Sequence, residues 1–461
     1  MSQDTAQLLA SGGPPSRDSP KPFQPTEEQV ALAEARRLKK LQQQQRAKEE
    51  EEARGRILPR EWLSIQDPPS ESVTVKVMTW NLLAQSLVRR ELFPTSDCLK
   101  ASQREHMLYR EILSHQAHIC CLQVDRTEKL FPVLQKAGYD YVYAAGPFKK
   151  HGCLIAYRKE FYELYGDKNI VYDQQEVRPE DGVSNIHGSS FKTKNIGSFV
   201  ALKRLDEEDD GLIVATTHLF WHPSYTYERA RQTAILLREA AKDRKELGKD
   251  HWPCIIAGDF NFAPDDPAYS LLVGDPLLPD QITRLASSRV VHVTIDPDVP
   301  IMTTKMLAED EEGTTETDPD RMITNARAAV EADGLLADAE LEKITQEAGY
   351  VVSAYDRGLR LSEGIKEQGL TYGSRIGIPA DRKGAYEPVW TSYTHYWKTV
   401  LDYIFILEPS QRPVTIVGLA KPIPTDKLDP GLPQKGVCGS DHISLCAELA
   451  WPKYQTPNTS S

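Results

Sequence analysis

The chain has 461 residues, a formal net charge of −12, 40% hydrophobic residues and 26% charged ones. That is the composition of an ordinary globular protein, and its acidic balance argues against a sequence-blind DNA-coating protein while leaving room for a local basic groove. The length fits two or three domains, or one large α/β domain with tails.

No stretch approaches ~18 uninterrupted apolar residues, so no transmembrane helix and no membrane partner are expected. The N-terminus lacks an apolar signal core. Seven cysteines are scattered without metal or disulfide spacing, and Cys120-Cys121 sits in an apolar run. Reduced thiols inside a cell, in cytoplasm or nucleus, are expected from that usage.

Residues 1 to about 26 are rich in Ser, Pro, Gly and Gln and are expected to be disordered, the start of a tail over 1–71. Thr26 to about Arg56 turns to Ala, Glu, Lys, Arg and Gln, which favours a helix with almost no apolar stripe. Its basic patch, Arg36-Arg37-Leu38-Lys39-Lys40, is either a solvated helix face or a contact for RNA, an import receptor or another partner. The globular part begins near Ser72. Val73 to Trp80 alternates as a strand, Gln103 to Leu113 suits a helix, and Ala117 to Leu122 reads as a second strand. Further strands are expected at Tyr139–Ala145, Gly152–Tyr157, Ser198–Leu202 and Leu212–Thr217. Tyr227 to about Leu247 has helical periodicity, and Cys254 to Ala257 is a short strand buried on both faces. Residues 284–391 weaken in pattern and read as an acidic, partly helical insertion, with Ala326 to Ala348 as one or two helices. Late strands are expected at Leu401–Leu407 and Ser444–Leu449, within a domain over 72–452, and residues 453–461 are expected to be disordered. Many short strands with few intervening helices suggest sheets packed on one another.

Five polar segments directly follow buried strands: Trp80-Asn81, Leu122-Gln123-Val124-Asp125, Thr217-His218, Asp259-Phe260-Asn261 and Ser440-Asp441-His442. Each alone has a structural explanation, such as a capped turn or a satisfied core histidine. Together they suggest a site, because catalytic groups cluster where several strands end on one edge. Asp259 and Asn261 project from one side of an extended strand end and can orient a water, bind a hard cation or cap a turn. Asp266 suits the N-cap of the helix that follows. Carboxylate, carboxamide and imidazole groups suit phosphodiester cleavage, which needs charge neutralisation, an oriented water and a stabiliser of the pentavalent phosphate.

The segments Thr79-Trp80-Asn81-Leu82-Leu83-Ala84-Gln85, Lys150-His151-Gly152-Cys153, Thr217-His218-Leu219-Phe220-Trp221-His222-Pro223, Gly258-Asp259-Phe260-Asn261, Leu401-Asp402-Tyr403-Ile404 and Gly439-Ser440-Asp441-His442 resemble the endonuclease/exonuclease/phosphatase (DNase I-like) superfamily, and its deadenylase-related branch within it. Leu87 to Pro94 narrows the resemblance towards fungal Ngl-type RNA exonucleases. It runs in order from about residue 73 to 450 and is poor across the insertion. It implies a four-layer α/β sandwich of two packed β-sheets flanked by helices. It also implies Mg²⁺-dependent (or Mn²⁺-dependent) 3′-to-5′ hydrolysis of single-stranded RNA. By position, Asp259 resembles the water-activating aspartate, Asn261 and His218 the phosphate contacts, and His442, with Asp441 in the same motif, the transition-state histidine. Asn81 falls in the metal shell, while Pro223, Trp397 and Asp402 match substrate-side positions, Trp397 as a base-stacking aromatic.

One position departs from the family. Its strand ends Leu-Gln-Glu-Val-Asp, with the glutamate as principal Mg²⁺ ligand, whereas this chain reads Leu122-Gln123-Val124-Asp125. Asp125 is one position late and one methylene short as a surrogate, and a one-residue slip on a strand points a side chain to the other face. The missing glutamate also admits a weakened or inactive RNA-binding protein on the same fold, and the superfamily's membership admits a phosphatase on a small phosphorylated substrate.

Overall fold

The computed structural model describes residues 26–178, 187–207, 209–300, 325–379 and 381–454. Residues 53–461 form one compact unit and 1–52 another. Of the stretches expected to be disordered, 1–25 and 455–461 lie outside the described residues, as does the acidic part of the insertion at Glu309 to Asp320, whereas the Lys453 N–H donates to the Glu71 carbonyl at 3.0 Å and Tyr454 stacks on His251.

In chain order, helix α1 (Glu27–Arg54) precedes strands β1 (Trp62–Ser64) and β2 (Ser72–Asn81), helix α2 (Ala101–Ser114), strand β3 (Ile119–Val124) and helix α3 (Thr127–Lys136). Then come β4 (Tyr139–Ala145), β5 (Gly152–Arg158), β6 (Tyr162–Val171), β7 (Ile196–Arg204), β8 (Gly211–His218), α4 (Thr226–Glu246) and β9 (Cys254–Asp259). The middle holds α5 (Pro267–Val273), α6 (Pro279–Ser287), β10 (Val290–His292), β11 (Ala326–Ala328), α7 (Asp338–Ala348), β12 (Val352–Ser353), α8 (Ala354–Leu361) and α9 (Tyr372–Arg375). Strands β13 (Ser392–Tyr393), β14 (Lys398–Thr399), β15 (Asp402–Leu407), β16 (Thr415–Ala420) and β17 (Leu445–Pro452) close the fold.

One sheet runs β1-β16-β17-β2-β3-β5-β4 and the other β12-β15-β9-β8-β7-β6. Only β2–β3 and β8–β9 are parallel pairs in these sheets. Alternation decides which residue goes where. Val75 and Val77 on β2, Ile119 and Cys121 on β3, and Ile155 on β5 meet Val214 on β8, Ile255 and Ala257 on β9, and Ile404 on β15 between the sheets. The opposite faces pack on helices. Met78, Trp80, Cys120 and Leu122 meet Leu108 and Ile112 of α2 and Leu130 and Leu134 of α3. Ile213, Ala215 and Ile256 meet Ala230, Ala234 and Leu237 of α4. This is the expected four-layer α/β sandwich. All seven cysteines are buried and unpaired.

Helix α1 is exposed at its described side chains, as the missing apolar stripe requires. Three features depart from expectation. The segment before Ser72 is not all tail, because β1 pairs with β16 and Arg60 donates to the Lys421 and Ser444 carbonyls. Strand β6 escaped the apolar pattern, since it is an edge strand whose polar residues face water. The segment 284–391 does more than decorate the core: β12 pairs with β15, and Tyr355, Leu359, Ile365 and Leu370 fill the space between the sheets. Asp266 caps α5 as expected, its side chain accepting from the Ala268 N–H at 2.9 Å.

Candidate active site

The period of two that fills the space between the sheets also aims the polar residues at one end of it. Ile255 and Ala257 point inward on β9, so Asp259 does too. By the same count His218 follows Val214 on β8, Asp402 precedes Ile404 on β15, Asn81 follows Val77 on β2, and Gln123 follows Cys121 on β3. Register brings them side by side: Asp259 pairs with His218 on one flank and Asp402 on the other, and Asn81 pairs with Gln123. Gly258 permits this closeness, because a Cβ there would lie 2.4 Å from the Thr217 carbonyl oxygen.

Asp259 is 1% exposed and stands at the centre. Its Oδ2 accepts from Asn81 Nδ2 at 2.8 Å, with His218 Nε2 at 3.5 Å and His442 Nε2 at 3.8 Å. Its Oδ1 accepts from the Asn261 N–H at 3.0 Å. Asn261 adopts a left-handed φ of 53°, a conformation asparagine tolerates better than most residues. Its Nδ2 donates to the Leu219 carbonyl at 2.9 Å, tying the ends of β8 and β9 together.

His442 lies in the turn before β17, which four hydrogen bonds fix. The Ser440 hydroxyl donates to the Asn81 carbonyl at 2.6 Å, and the His442 N–H donates to Ser440 Oγ at 3.2 Å. Trp80 Nε1 donates to the His442 carbonyl at 2.8 Å, and the Ile443 N–H to Thr391 at 2.7 Å. The ring itself is held by Asp402, whose Oδ2 lies 2.7 Å from Nδ1. Burial alone would lower the imidazolium. The carboxylates of Asp402, Asp259 and Asp441 outweigh it and push His442 up to about 10. Burial raises Asp402 to about 6, against the pull of His442. At neutral pH the pair is therefore imidazolium and carboxylate, and Nε2 presents its N–H toward Asp259.

The expected site residues thus fall into two groups. Asn81, His218, Asp259, Asn261, Asp402 and His442 come together. Asp402, expected on the substrate side, is 0% exposed, runs inward beside Asp259, and its Oδ2 meets the His442 ring. Asp441 is half-buried, with Oδ1 3.3 Å from the Ser440 hydroxyl. Pro223 is exposed, and Trp397 is 55% exposed at the tip of the β13–β14 hairpin. The Trp397 N–H donates to Thr394 Oγ1 at 2.8 Å, so the hairpin, not the indole, is what the backbone secures.

Mg²⁺ calls for hard anionic oxygens, and the end of β3, where the family keeps its principal metal ligand, offers none to the site. Val124 is 3% exposed and packs among apolar residues on the helix-covered face. Asp125 is half-buried, its Oδ2 accepting from the Ser86 N–H at 3.3 Å, in a cleft with Arg104, Glu105, Tyr109 and Arg126. Asn81 Oδ1 accepts from the Leu83 N–H at 2.9 Å. Gln123 offers only a neutral Oε1, which is buried and without a hydrogen-bond partner. Possible ligand atoms of Asp259, Asp402 and His442 do lie within 4.8 Å of one another, the one such group among the described residues. A metal there would compete with the proton that Asp402 and Asp259 hold on His442.

Sequence reasoning missed His151. Its ring lies 5.7 Å from that of His218, and burial, then His218 and Lys149, lower it to about 3, so it is a neutral imidazole. A signal was available, because His151 directly precedes β5, and in an antiparallel pair the start of one strand lies at the same edge as the end of its neighbour. Thr391 was missed too: its Oγ1 accepts from the Leu401 and Asp402 N–H groups at 2.8 and 3.0 Å and seats the carboxylate.

Residues 78–442 match the family described as the Endonuclease/Exonuclease/phosphatase family. A probable RNA exonuclease of Schizosaccharomyces pombe is 28% identical over 419 residues, which are 85% of this chain and 80% of that protein. RNA exonuclease NGL2 of Saccharomyces cerevisiae is 26% identical over 438 residues, 85% of this chain and 81% of that protein. Among solved structures, ANGEL2, described as a 2′,3′-cyclic phosphatase, has a TM-score of 0.56 at 18% identity, over 86% of this chain and 100% of that one. That last likeness is one of fold.

Proposed function

Since the chain belongs to the endonuclease/exonuclease/phosphatase family, we propose that it is a 3′-to-5′ exonuclease of single-stranded RNA, weakened by the loss of one metal-binding carboxylate. The observation that carries this reading is the cluster of Asn81, His218 and His442 around Asp259 Oδ2, at 2.8, 3.5 and 3.8 Å. Three nitrogen donors around one carboxylate oxygen also mark where a phosphate and its attacking water would sit. Asp259 takes the proton of that water as its oxygen bonds to phosphorus, and the bond to the 3′ oxygen breaks, that oxygen taking a proton from solvent to become the new 3′ hydroxyl of the shortened strand. Asn261 and His218 contact the phosphate oxygens. The His442 imidazolium, fixed by Asp402, offsets the charge that builds on the pentavalent phosphate. Trp397 and Pro223, both exposed, are the places for the bases.

Enzymes of this family generally use a divalent metal. Mg²⁺, or Mn²⁺ in its place, is the proposed ion, and Val124 stands where its main carboxylate would. Incubation of labelled single-stranded RNA with the chain and either ion is expected to give slow, stepwise 3′ shortening. A chain with Glu inserted after Gln123 should cleave faster and saturate at lower metal concentration. No shortening by either form would sink the proposal.

The buried Val124 favours one rival, a catalytically silent RNA-binding protein on the same fold. RNA binding that survives EDTA, with no cleavage even after the Glu insertion, would support that reading.

A further inference from the structure

The turn between β4 and β5 and the turn before β7 lock together into a platform. Gly146 allows this, because a Cβ there would lie 1.9 Å from the Lys194 carbonyl oxygen. Lys149 Nζ donates to Asn195 Oδ1 across the junction, and Asp173 accepts from the Thr193 and Lys194 N–H groups at 3.2 and 2.7 Å. Two side chains leave this platform from left-handed backbone, Phe148 at φ 63° and Lys194 at φ 56°. For a bulky aromatic such a φ is a true outlier, of the kind that persists where the surroundings enforce it.

What it presents is costly in water. Phe148 is 97% exposed, with Lys194 Nζ 5.3 Å from its ring centroid, and Lys150 is exposed beside it. The platform leads into the site. Lys150 adjoins His151, whose ring is 5.7 Å from that of His218, which is 3.5 Å from Asp259. A lone aromatic face among lysines, in a chain of net charge −12, is poor in apolar area for a protein partner. It has the parts of a single-strand track, with a ring for a base and cations for the phosphates.

We propose that Phe148, Lys149, Lys150 and Lys194 form a binding track for single-stranded RNA that continues from the scissile phosphate past His151. The track rests on the RNA reading of the site, and it adds a second base platform, separate from Trp397.

The test is fluorescence anisotropy of a labelled single-stranded RNA with the full chain in EDTA, so that binding is read without cleavage. Phe148→Ala and Phe148→Leu should each bind about tenfold more weakly, since a stacked base is worth roughly that or more. Exchanging Lys149, Lys150 and Lys194 together for Gln should flatten the slope of log affinity against log salt by about 2, at ~0.7 per phosphate contact on a single strand. Phe148→Leu is a solvent-exposed change that keeps the fold, which circular dichroism checks. Binding by both Phe148 variants at the parent's affinity overturns the track. Metal-supported cleavage, run in parallel, separates the two claims. A parent that cleaves while the Phe148 variants bind normally removes the track alone. A parent that never cleaves, but loses binding with Phe148, leaves the track and removes the exonuclease. A parent that binds no RNA removes both.

Discussion

Replacing Asp402 by Asn isolates what the buried pair does. Asn keeps the size and an oxygen that can accept from His442 Nδ1, now 2.7 Å from the Asp402 carboxylate, but it removes the charge. In the parent, His442 titrates at about 10 and Asp402 at about 6, so the ion pair exists between those values. At about pH 7.5, a group titrating near 10 holds its proton by roughly 3 kcal/mol, at ~1.4 kcal/mol per tenfold. Without Asp402, His442 sheds that proton before it becomes an unpaired buried cation, so the stability cost is bounded near roughly 3 kcal/mol. The sign follows from linkage. A raised histidine stabilises fully below its unfolded value of about 6.5 and loses that contribution as pH climbs through about 10. The gap in unfolding free energy between parent and variant should therefore be widest at about pH 6 to 6.5, where Asp402 still ionises, and shrink steadily as pH climbs toward 10. Activity should fall ~10²- to 10³-fold, as when a transition-state donor is removed. The assays are histidine NMR of the His442 ring across this range, denaturant unfolding at neutral and high pH, and kcat. A His442 ring that stays protonated at pH 8 in the variant, with unchanged stability, would refute the electrostatic account.

Three other changes probe the site separately. Asn81→Ala removes the 2.8 Å donor to Asp259 and the acceptor for the Leu83 N–H. Each buried group left unpaired costs ~1–3 kcal/mol, so both kcat and the unfolding midpoint should drop, as steady-state kinetics and urea titration would read. Trp397→Ala leaves the hairpin anchored at Thr394, so KM for RNA should rise by about tenfold with kcat nearly unchanged; an unaltered KM would remove Trp397 from the substrate path. Gly258→Ala sets a Cβ 2.4 Å from the Thr217 carbonyl oxygen and should cost at least ~1–3 kcal/mol in thermal unfolding. A variant as stable as the parent would mean that β8 and β9 can part without loss.

Alternation and strand ends made most of the site legible. Cys254 to Ala257 announces a buried strand, and the period of two then carries Asp259 to the same face as Ile255. His218, Asn81 and Gln123 obey the same count. The role of Asp402 was not legible, because it depends on the antiparallel pairing of β15 with β9 across more than a hundred residues, and pairing partners do not show in local pattern. Strand β6 was hidden by its edge position, where Glu163, Asp167 and Lys168 dilute the apolar signal. The helix-and-turn segment after Val351 looked peripheral because its core contacts come from single residues, Tyr355, Leu359 and Ile365, at no strand-like spacing.

The parts of the site divide between the two sheets in a way that bears on function. His218 and Asp259 end strands of one sheet, Asp402 begins a third, and His442 is clamped to Asp402. Every one of these strands keeps its inward alternation to the last residue. The other sheet supplies Asn81 and Gln123, and there β3 ends in Val124, turned to the helices, with Asp125 tied to Ser86. Of the groups proposed to hold a phosphate and place a proton, Asn81 alone stands beside the altered strand end, paired with Gln123, and the one lost carboxylate would act on a metal. Binding and catalysis should separate accordingly. Single-stranded RNA should bind with the full sensitivity to His218 and Phe148 substitutions in EDTA, while cleavage responds to the Glu insertion after Gln123. An insertion that strengthened RNA binding in EDTA, without any metal, would show instead that β3 shapes the phosphate pocket itself and that the two sheets do not divide the work.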